Sequence, residues 1–147
     1  MKVSQEILEN RMALFRDLCS EIGLRVTPQR QEVYRELARA TDHPSAEMLH
    51  KRVTKRLPTM TLDTVYRTLG TLEKVGLVER VSIVASSARY EANTDIHHHF
   101  VCRKCGYILD IYSDRLNHIG LERDLPKGFQ MHSSQVQLRG ICPKCAK

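Results

Sequence analysis

His97-His98-His99-Phe100-Val101-Cys102-Arg103-Lys104-Cys105-Gly106 is the stretch on which the fold of this 147-residue chain turns. The two-residue gap between Cys102 and Cys105 lets both sulfurs bend around one ion, and Gly106 suits the backbone reversal that follows. The same spacing returns at Cys142-Pro143-Lys144-Cys145. Two such pairs predict one closed, tetrahedral site of four thiolates with Zn(II) as a structural cofactor. The 36 residues between Cys105 and Cys142 exceed a compact zinc ribbon, so a strand and a helix are expected between the knuckles. Two structural disulfides are the weaker reading, because Cys-x-x-Cys pairs in a chain without secretory features point to metal or redox chemistry. A thioredoxin-like redox pair would need a strand-to-helix context that neither pair has.

Upstream of the first knuckle, His97 and His99 face the same side if they lie on a strand, because side chains alternate with period two. His98 is then expected to point away, as a surface histidine. The nearest carboxylates are Glu91 and Asp110. Such a nitrogen and oxygen set suits Fe(II), Mn(II), Co(II) or Zn(II), whereas thiolates select zinc at the other site.

Around these ligands, His99 to Val101 and Tyr107 to Tyr112 read as strands, a helix follows Ser113 until Pro126, and Phe129 to Ile141 reads as a final strand. Residues 92–147 thus form a small α/β unit whose size favours both a zinc staple and dimerisation. Asn93-Thr94-Asp95 reads as a linker.

Residues 1–91 have a different rhythm. An amphipathic helix over residues 4–22 carries Ile7, Leu8, Met12, Phe15, Leu18 and Ile22 on one face and closes at Gly23. Cys19 lies there unpaired and is expected to be a small core residue. Thr27-Pro28 opens a second helix through about Leu37, and Ser45-Ala46-Glu47 opens a third that runs to Leu57 before Pro58. Thr61 caps a fourth, in which Leu62, Val65, Tyr66, Leu69, Leu72 and Val75 recur at helical spacing until Gly76. Its other face presents Asp63, Thr64, Arg67, Thr68 and Thr71. After Gly76 the apolar run Leu77 to Val84, a Ser86-Ser87 turn and Ala88-Arg89-Tyr90-Glu91 read as a hairpin. Compact helices followed by a hairpin predict a winged helix-turn-helix that binds DNA. The whole chain is therefore α+β, an N-terminal winged helix before the zinc-stapled unit.

A net charge of +6 permits a nucleic-acid partner without demanding one. Fifteen Lys and Arg against twelve Asp and Glu up to Glu91, and eight against five after it, give each half +3. Local clustering is more informative: His50-Lys51-Arg52, Lys55-Arg56 and Arg67 form the densest basic stretch. Arg67 is expected to read a base edge with Thr64 and Tyr66 nearby, and Lys51 or Arg52 to meet phosphates. Tyr66 also belongs to the apolar set, so a core role stays open beside a DNA contact. With no apolar run near 18 residues and no signal peptide, a cytoplasmic protein with no membrane association is expected.

Taken in order, Arg25-Val26-Thr27-Pro28-Gln29-Arg30, His43-Pro44-Ser45-Ala46, Thr64-Val65-Tyr66-Arg67-Thr68-Leu69, Gly76-Leu77-Val78, Arg89-Tyr90-Glu91, His97 to Cys102, Cys105-Gly106 and Cys142 to Cys145 resemble the ferric uptake regulator (Fur) family over nearly the whole chain. The resemblance implies a homodimeric, metal-dependent transcriptional repressor that binds a pseudo-palindromic double-stranded operator. It implies that Cys102, Cys105, Cys142 and Cys145 hold the structural zinc and that His43, Glu91, His97, His99 and Asp110 hold a regulatory Fe(II) or Mn(II), with Zn(II) also compatible. His43 enters through the resemblance alone. Asp110 and Asn93-Thr94 look like the peroxide-sensing (PerR) branch, in which peroxide oxidises a ligand histidine, here His43 or His97. Glu91 and Tyr66-Arg67-Thr68 look more like iron-sensing members, so an iron- or zinc-sensing repressor without peroxide chemistry is the alternative. A third metal site of some members falls on Ile96, Asn117 and Ser134 here and is not expected.

Two rival classes are weaker. A zinc hydrolase using His97, His99 and Glu91 would have an open site but lacks an HExxH helix or a nucleophile motif, so no enzyme is expected. A zinc-ribbon adaptor that binds protein instead of DNA is told apart by the polar face of residues 62–76: Arg67→Ala should abolish DNA binding and leave an adaptor's partner affinity largely intact.

Overall fold

The computed structural model describes residues 2–81 and 87–147. Two compact units emerge, Met1–Thr94 and Asp95–Lys147, with the division after Thr94 instead of after Glu91.

In the first unit, helix α1 (Gln5–Ile22) starts where the Ser4 hydroxyl accepts the Ile7 amide and ends at Gly23, whose φ of 73° is a conformation that glycine adopts without strain. Met12, Phe15 and Cys19 are buried, whereas Ile7 and Ile22 are 43% and 48% exposed, so the apolar stripe is narrower at the helix ends than its periodicity implied. Burial pushes the Cys19 thiol above its ordinary range, as befits a core residue. Helix α2 (Pro28–Arg39) follows the Thr27 cap, and its Tyr34 ring stacks on Phe15 with centroids 4.7 Å apart. Helix α3 (Ala46–Val53) stops short of Leu57. There the Thr54 hydroxyl donates to the His50 and Lys51 carbonyls, and the chain tightens into turns before Pro58.

Helix α4 (Leu62–Lys74) is capped by Thr61 and buries Val65, Thr68, Leu69 and Leu72. Strands β1 (Glu79–Val81) and β2 (Arg89–Glu91) pair antiparallel with Arg80 opposite Tyr90. Leu77 and Val78 are buried ahead of β1, while Ile83, Val84 and Ser86 of the expected hairpin lie outside the described residues. Helices α3 and α4 with the β1–β2 ribbon give the winged-helix order.

The second unit is a three-stranded sheet in the order β4-β3-β5, with β3 (His98–Cys102) antiparallel to β4 (Ile108–Ile111) and parallel to β5 (Gln137–Gly140). Two expectations fail here. The helix after Ser113 is only α5 (Asp114–Asn117), with a separate 3₁₀ turn at Leu121–Asp124. Gly120, at φ 65°, interrupts the helix, and Leu121 and Leu125 are about two-fifths exposed, so the segment buries no apolar stripe that would sustain one. The final strand is only Gln137–Gly140, and Phe129 is 67% exposed. At its end Gly140 admits the Phe100 ring: a Cβ there would lie 3.0 Å from Phe100 Cε2.

Candidate metal centres and nucleic-acid interface

The zinc knuckles hang from the central strand. Cys102 ends β3, its carbonyl accepts the Gly106 amide across the first knuckle, and the Cys142 carbonyl accepts the Cys145 and Ala146 amides across the second. The Arg103 amide donates to the Gly140 carbonyl at 2.8 Å, which brings the knuckles side by side. One sulfur from each of Cys102, Cys105, Cys142 and Cys145 lies within 4.8 Å of the others, and the Cys105 and Cys142 sulfurs are 3.7 Å apart. Tetrahedral Zn–S bonds of about 2.3 Å put neighbouring sulfurs about 3.8 Å apart, so the four residues fit zinc. The Cys142 amide donates to Cys102 Sγ at 3.3 Å. Backbone amides of Cys105 and Cys142 hold the Cys102 thiol down at about 6, while hydrogen bonding to Cys142 and the crowded sulfurs push Cys145 up to about 12. Four thiolates confined in this volume call for a cation.

Nitrogen and oxygen donors of the same unit converge on the other side of β3. His99 is directly opposite Asp110 in the β3–β4 register. The His97 and His99 Nε2 atoms are 3.1 Å apart, and Asp110 Oδ1 is 3.4 Å from the second and 3.8 Å from the first. Ligand atoms about 2.1 Å from a shared ion are separated by about 3.0 to 3.4 Å in octahedral or tetrahedral geometry, with bond lengths of this class. His97 Nδ1 lies 2.6 Å from the Asp95 carbonyl, which fixes it as the donor and leaves Nε2 with its lone pair toward the cluster. The Tyr112 ring packs against His97 with centroids 5.8 Å apart. His97 precedes the strand proper, but its ring joins His99 as the alternation suggested.

His98 contradicts its surface reading. Its side chain is fully buried, with Nε2 2.8 Å from Asn117 Oδ1 and Nδ1 accepting the Val136 amide at 3.0 Å. These partners fix the Nε2–H tautomer. Strand β3 is central and buried on both faces, so a side chain turned away from the ligand cluster meets protein instead of water.

The first unit holds the other two expected ligands together. His43 Nε2 lies 3.1 Å from Glu91 Oε2, and both residues are buried. Nothing in residue spacing links positions 43 and 91. The link is made by β2, where Arg89 Nη1 donates to the His43 carbonyl at 3.2 Å and the Tyr90 amide to the Pro44 carbonyl at 3.0 Å. His43 sits at φ 50°, a left-handed conformation uncommon outside glycine.

On α4, Arg67 projects with its side chain 75% exposed, held by Asp63 four residues earlier at 3.0 Å. Thr64 Oγ1 is 2.9 Å from Thr61 Oγ1 at the cap. Tyr66 is 44% exposed and donates its hydroxyl to Glu47 Oε1 at 2.6 Å, which holds the Glu47 carboxyl below its usual range. Its ring therefore rests on the surface, tethered to α3, and is not a core residue. Lys51 is exposed on α3. Arg52 forms two hydrogen bonds to Asp42, and its guanidinium keeps that carboxyl low. Its charge is already matched within the protein.

The family model described as "Ferric uptake regulator family" matches residues 21–139. The peroxide-responsive repressor PerR of Staphylococcus aureus (strain Mu50) is 28% identical over 145 residues, 99% of this chain and 98% of that protein. Among solved structures, the Campylobacter jejuni peroxide stress regulator is 30% identical, with a TM-score of 0.71 over 88% of this chain and 97% of that one. The Helicobacter pylori ferric uptake regulator Fur, described with three functional metal binding sites, is 24% identical and shares the fold over 100% of this chain and 97% of its own, with a TM-score of 0.78.

Proposed function

The protein belongs to the ferric uptake regulator family, and from that premise we propose how this metal-sensing repressor works. Members of the family are transcription regulators and not enzymes. Cys102, Cys105, Cys142 and Cys145 hold a permanent Zn(II) that staples the second unit, which pairs with a second copy. His97, His99 and Asp110 are the resident half of a regulatory Fe(II) or Mn(II) site, completed by His43 and Glu91 of the first unit. The observation that carries this reading is the convergence of the His97, His99 and Asp110 donor atoms at 3.1 to 3.8 Å, with His97 Nδ1 committed to the Asp95 carbonyl.

The mechanism follows from where the ligands sit in the chain. A state in which His43 and Glu91 join the other three ligands is favoured only by the additional affinity those two contribute. Turning a 1:99 population into its reverse takes about 5.5 kcal/mol of differential affinity, a scale suited to two added ligands. In that state α4 of each protomer presents Arg67, Thr64 and Tyr66 to the major groove of a pseudo-palindromic operator.

Bound Fe(II) supplies the means of reducing hydrogen peroxide, and oxidation of the His43 or His97 ring would weaken a lone-pair donor and release the DNA. The likeness to peroxide-responsive repressors supports this branch, and a plain metal sensor is the alternative. The test is metal analysis of protein purified without oxygen, followed by mass spectrometry after mild peroxide. One firmly held zinc per chain, a second exchangeable metal and an added oxygen on His43 or His97 support the reading. An unmodified iron-loaded protein argues for plain metal sensing, and a chain with no second metal site overturns the regulatory site itself.

A further inference from the structure

The first unit has a cleft of about 370 Å³ between the start of α2 and the exposed face of α4, lined by Thr27, Gln29 and Arg30 on one side and Thr64, Arg67 and Thr71 on the other. Basic clustering in the sequence places phosphate contacts at Lys51 or Arg52. Ion pairing removes Arg52 from that choice, while Lys51 stays exposed with no carboxylate partner among the described residues. Arg39, Arg52, Arg56, Arg67 and Arg80 each pair with a carboxylate. Arg30 instead donates from Nη1 to the Arg25 carbonyl at 2.7 Å, a neutral acceptor, and among the described residues no carboxylate pairs with it. Its charge is uncompensated while its guanidinium is already oriented, so little side-chain freedom remains to be lost on binding. The polar groups around it are unequal. The Thr71 hydroxyl is turned back to the Arg67 carbonyl, and the Thr61 and Thr64 hydroxyls are paired with each other. Gln29 is exposed and, among the described residues, its amide makes no protein hydrogen bond.

We propose that this cleft seats one sugar-phosphate strand of the operator, with Arg30 as its phosphate ligand and Gln29 beside it, and that Arg52 belongs to the fold instead of the DNA interface. The inference rests on the DNA-binding reading above and adds a second element, the first turn of α2, to the α4 face. Arg30 positions the duplex without reading sequence, and Arg67, across the cleft, reads the base edge.

The experiment measures affinity against salt for the manganese-loaded dimer, using a duplex recovered from a random-sequence pool by the wild type, and an unrelated duplex. Each phosphate contact contributes about 0.9 to the slope of log K against log salt. Arg30→Ala is expected to lower the slope by about 1.8 per dimer. Its affinity gap to wild type should then close about tenfold between roughly 50 and 200 mM salt. The loss should be similar on both duplexes, and Arg30→Lys, which keeps the charge, should retain the slope. Arg52→Ala should leave the slope unchanged. Should Arg30→Ala lose zinc or its helical signal, Arg30→Gln, which removes the charge and keeps a polar side chain, carries the same comparison. A wild-type slope in the Arg30 variant, or an equal slope loss in Arg52→Ala, overturns the assignment. If Arg67→Ala has lost preference for the selected duplex in either case, the DNA-binding reading survives it. A wild type that binds neither duplex with metal sinks that broader reading.

Discussion

Replacing His98 with alanine distinguishes a buried anchor from a surface histidine. The ring is fully buried and holds two partners, Asn117 Oδ1 at 2.8 Å and the Val136 amide at 3.0 Å. Stripping a buried group of its partner costs about 1–3 kcal/mol, so two orphaned groups and the space left by the ring make roughly 3–5 kcal/mol. A surface histidine exchanged for alanine costs within about 0.5 kcal/mol. Hydrogen exchange of the zinc-loaded protein, followed around residues 134–138, reads the difference at the Val136 amide. Protection there should fall about a hundredfold or more, since each 1.4 kcal/mol is roughly tenfold. Exposed His132→Ala serves as the control and should leave it unchanged. Asn117→Ala, which removes one of the two partners, should fall between. Unaltered Val136 protection in His98→Ala would refute the anchor and restore the surface reading.

Tyr34 offers a stability test with a defined pH window. Burial pushes its hydroxyl up to about 12, and the oxygen has no hydrogen-bond partner among the described residues. The unfolded chain releases this proton near pH 10 while the native state keeps it, so this contribution is fully present below about pH 10 and is lost as pH rises through about 12. Tyr34→Phe should match or exceed wild-type stability in urea near neutral pH. It should also show a smaller alkaline loss, by up to about 3 kcal/mol for a hydroxyl raised from about 10 to about 12; equal alkaline losses would count against it. Gly140→Ala should force the Phe100 ring aside and cost about 1–3 kcal/mol, read as faster exchange along β3 and β5 with zinc retained. No change in exchange would mean that the ring yields freely.

Legibility followed sequence distance. Helix starts at Thr27-Pro28 and Thr61 are local capping chemistry and stand where the sequence put them. The knuckles are equally local, and a two-residue period brought His97 and His99 together. For His98, alternation tells which way the side chain turns, but not whether the far face is covered. That depends on β5 pairing parallel to β3 from across the long gap between the knuckles. Arg52 reads as available for DNA because its partner Asp42 lies ten residues earlier, in the α2–α3 loop. Arg30 carries no such signal, because a single arginine in the first turn of α2 forms no cluster. The proximity of His43 to Glu91 needed the stitching by Arg89 and Tyr90, a tertiary feature without any sequence period.

On the proposed reading, one regulatory ion takes ligands from both units and thereby controls DNA binding. The measurement that tests this most directly is operator affinity with and without added Mn(II), in wild type and His43→Ala, with zinc content and dimer mass followed in both. Metal should tighten wild-type binding by at least about tenfold, equivalent to about 1.4 kcal/mol of coupling. His43→Ala should keep its zinc and its partner while losing that response. A variant whose operator affinity still rises with metal as in wild type would contradict the account.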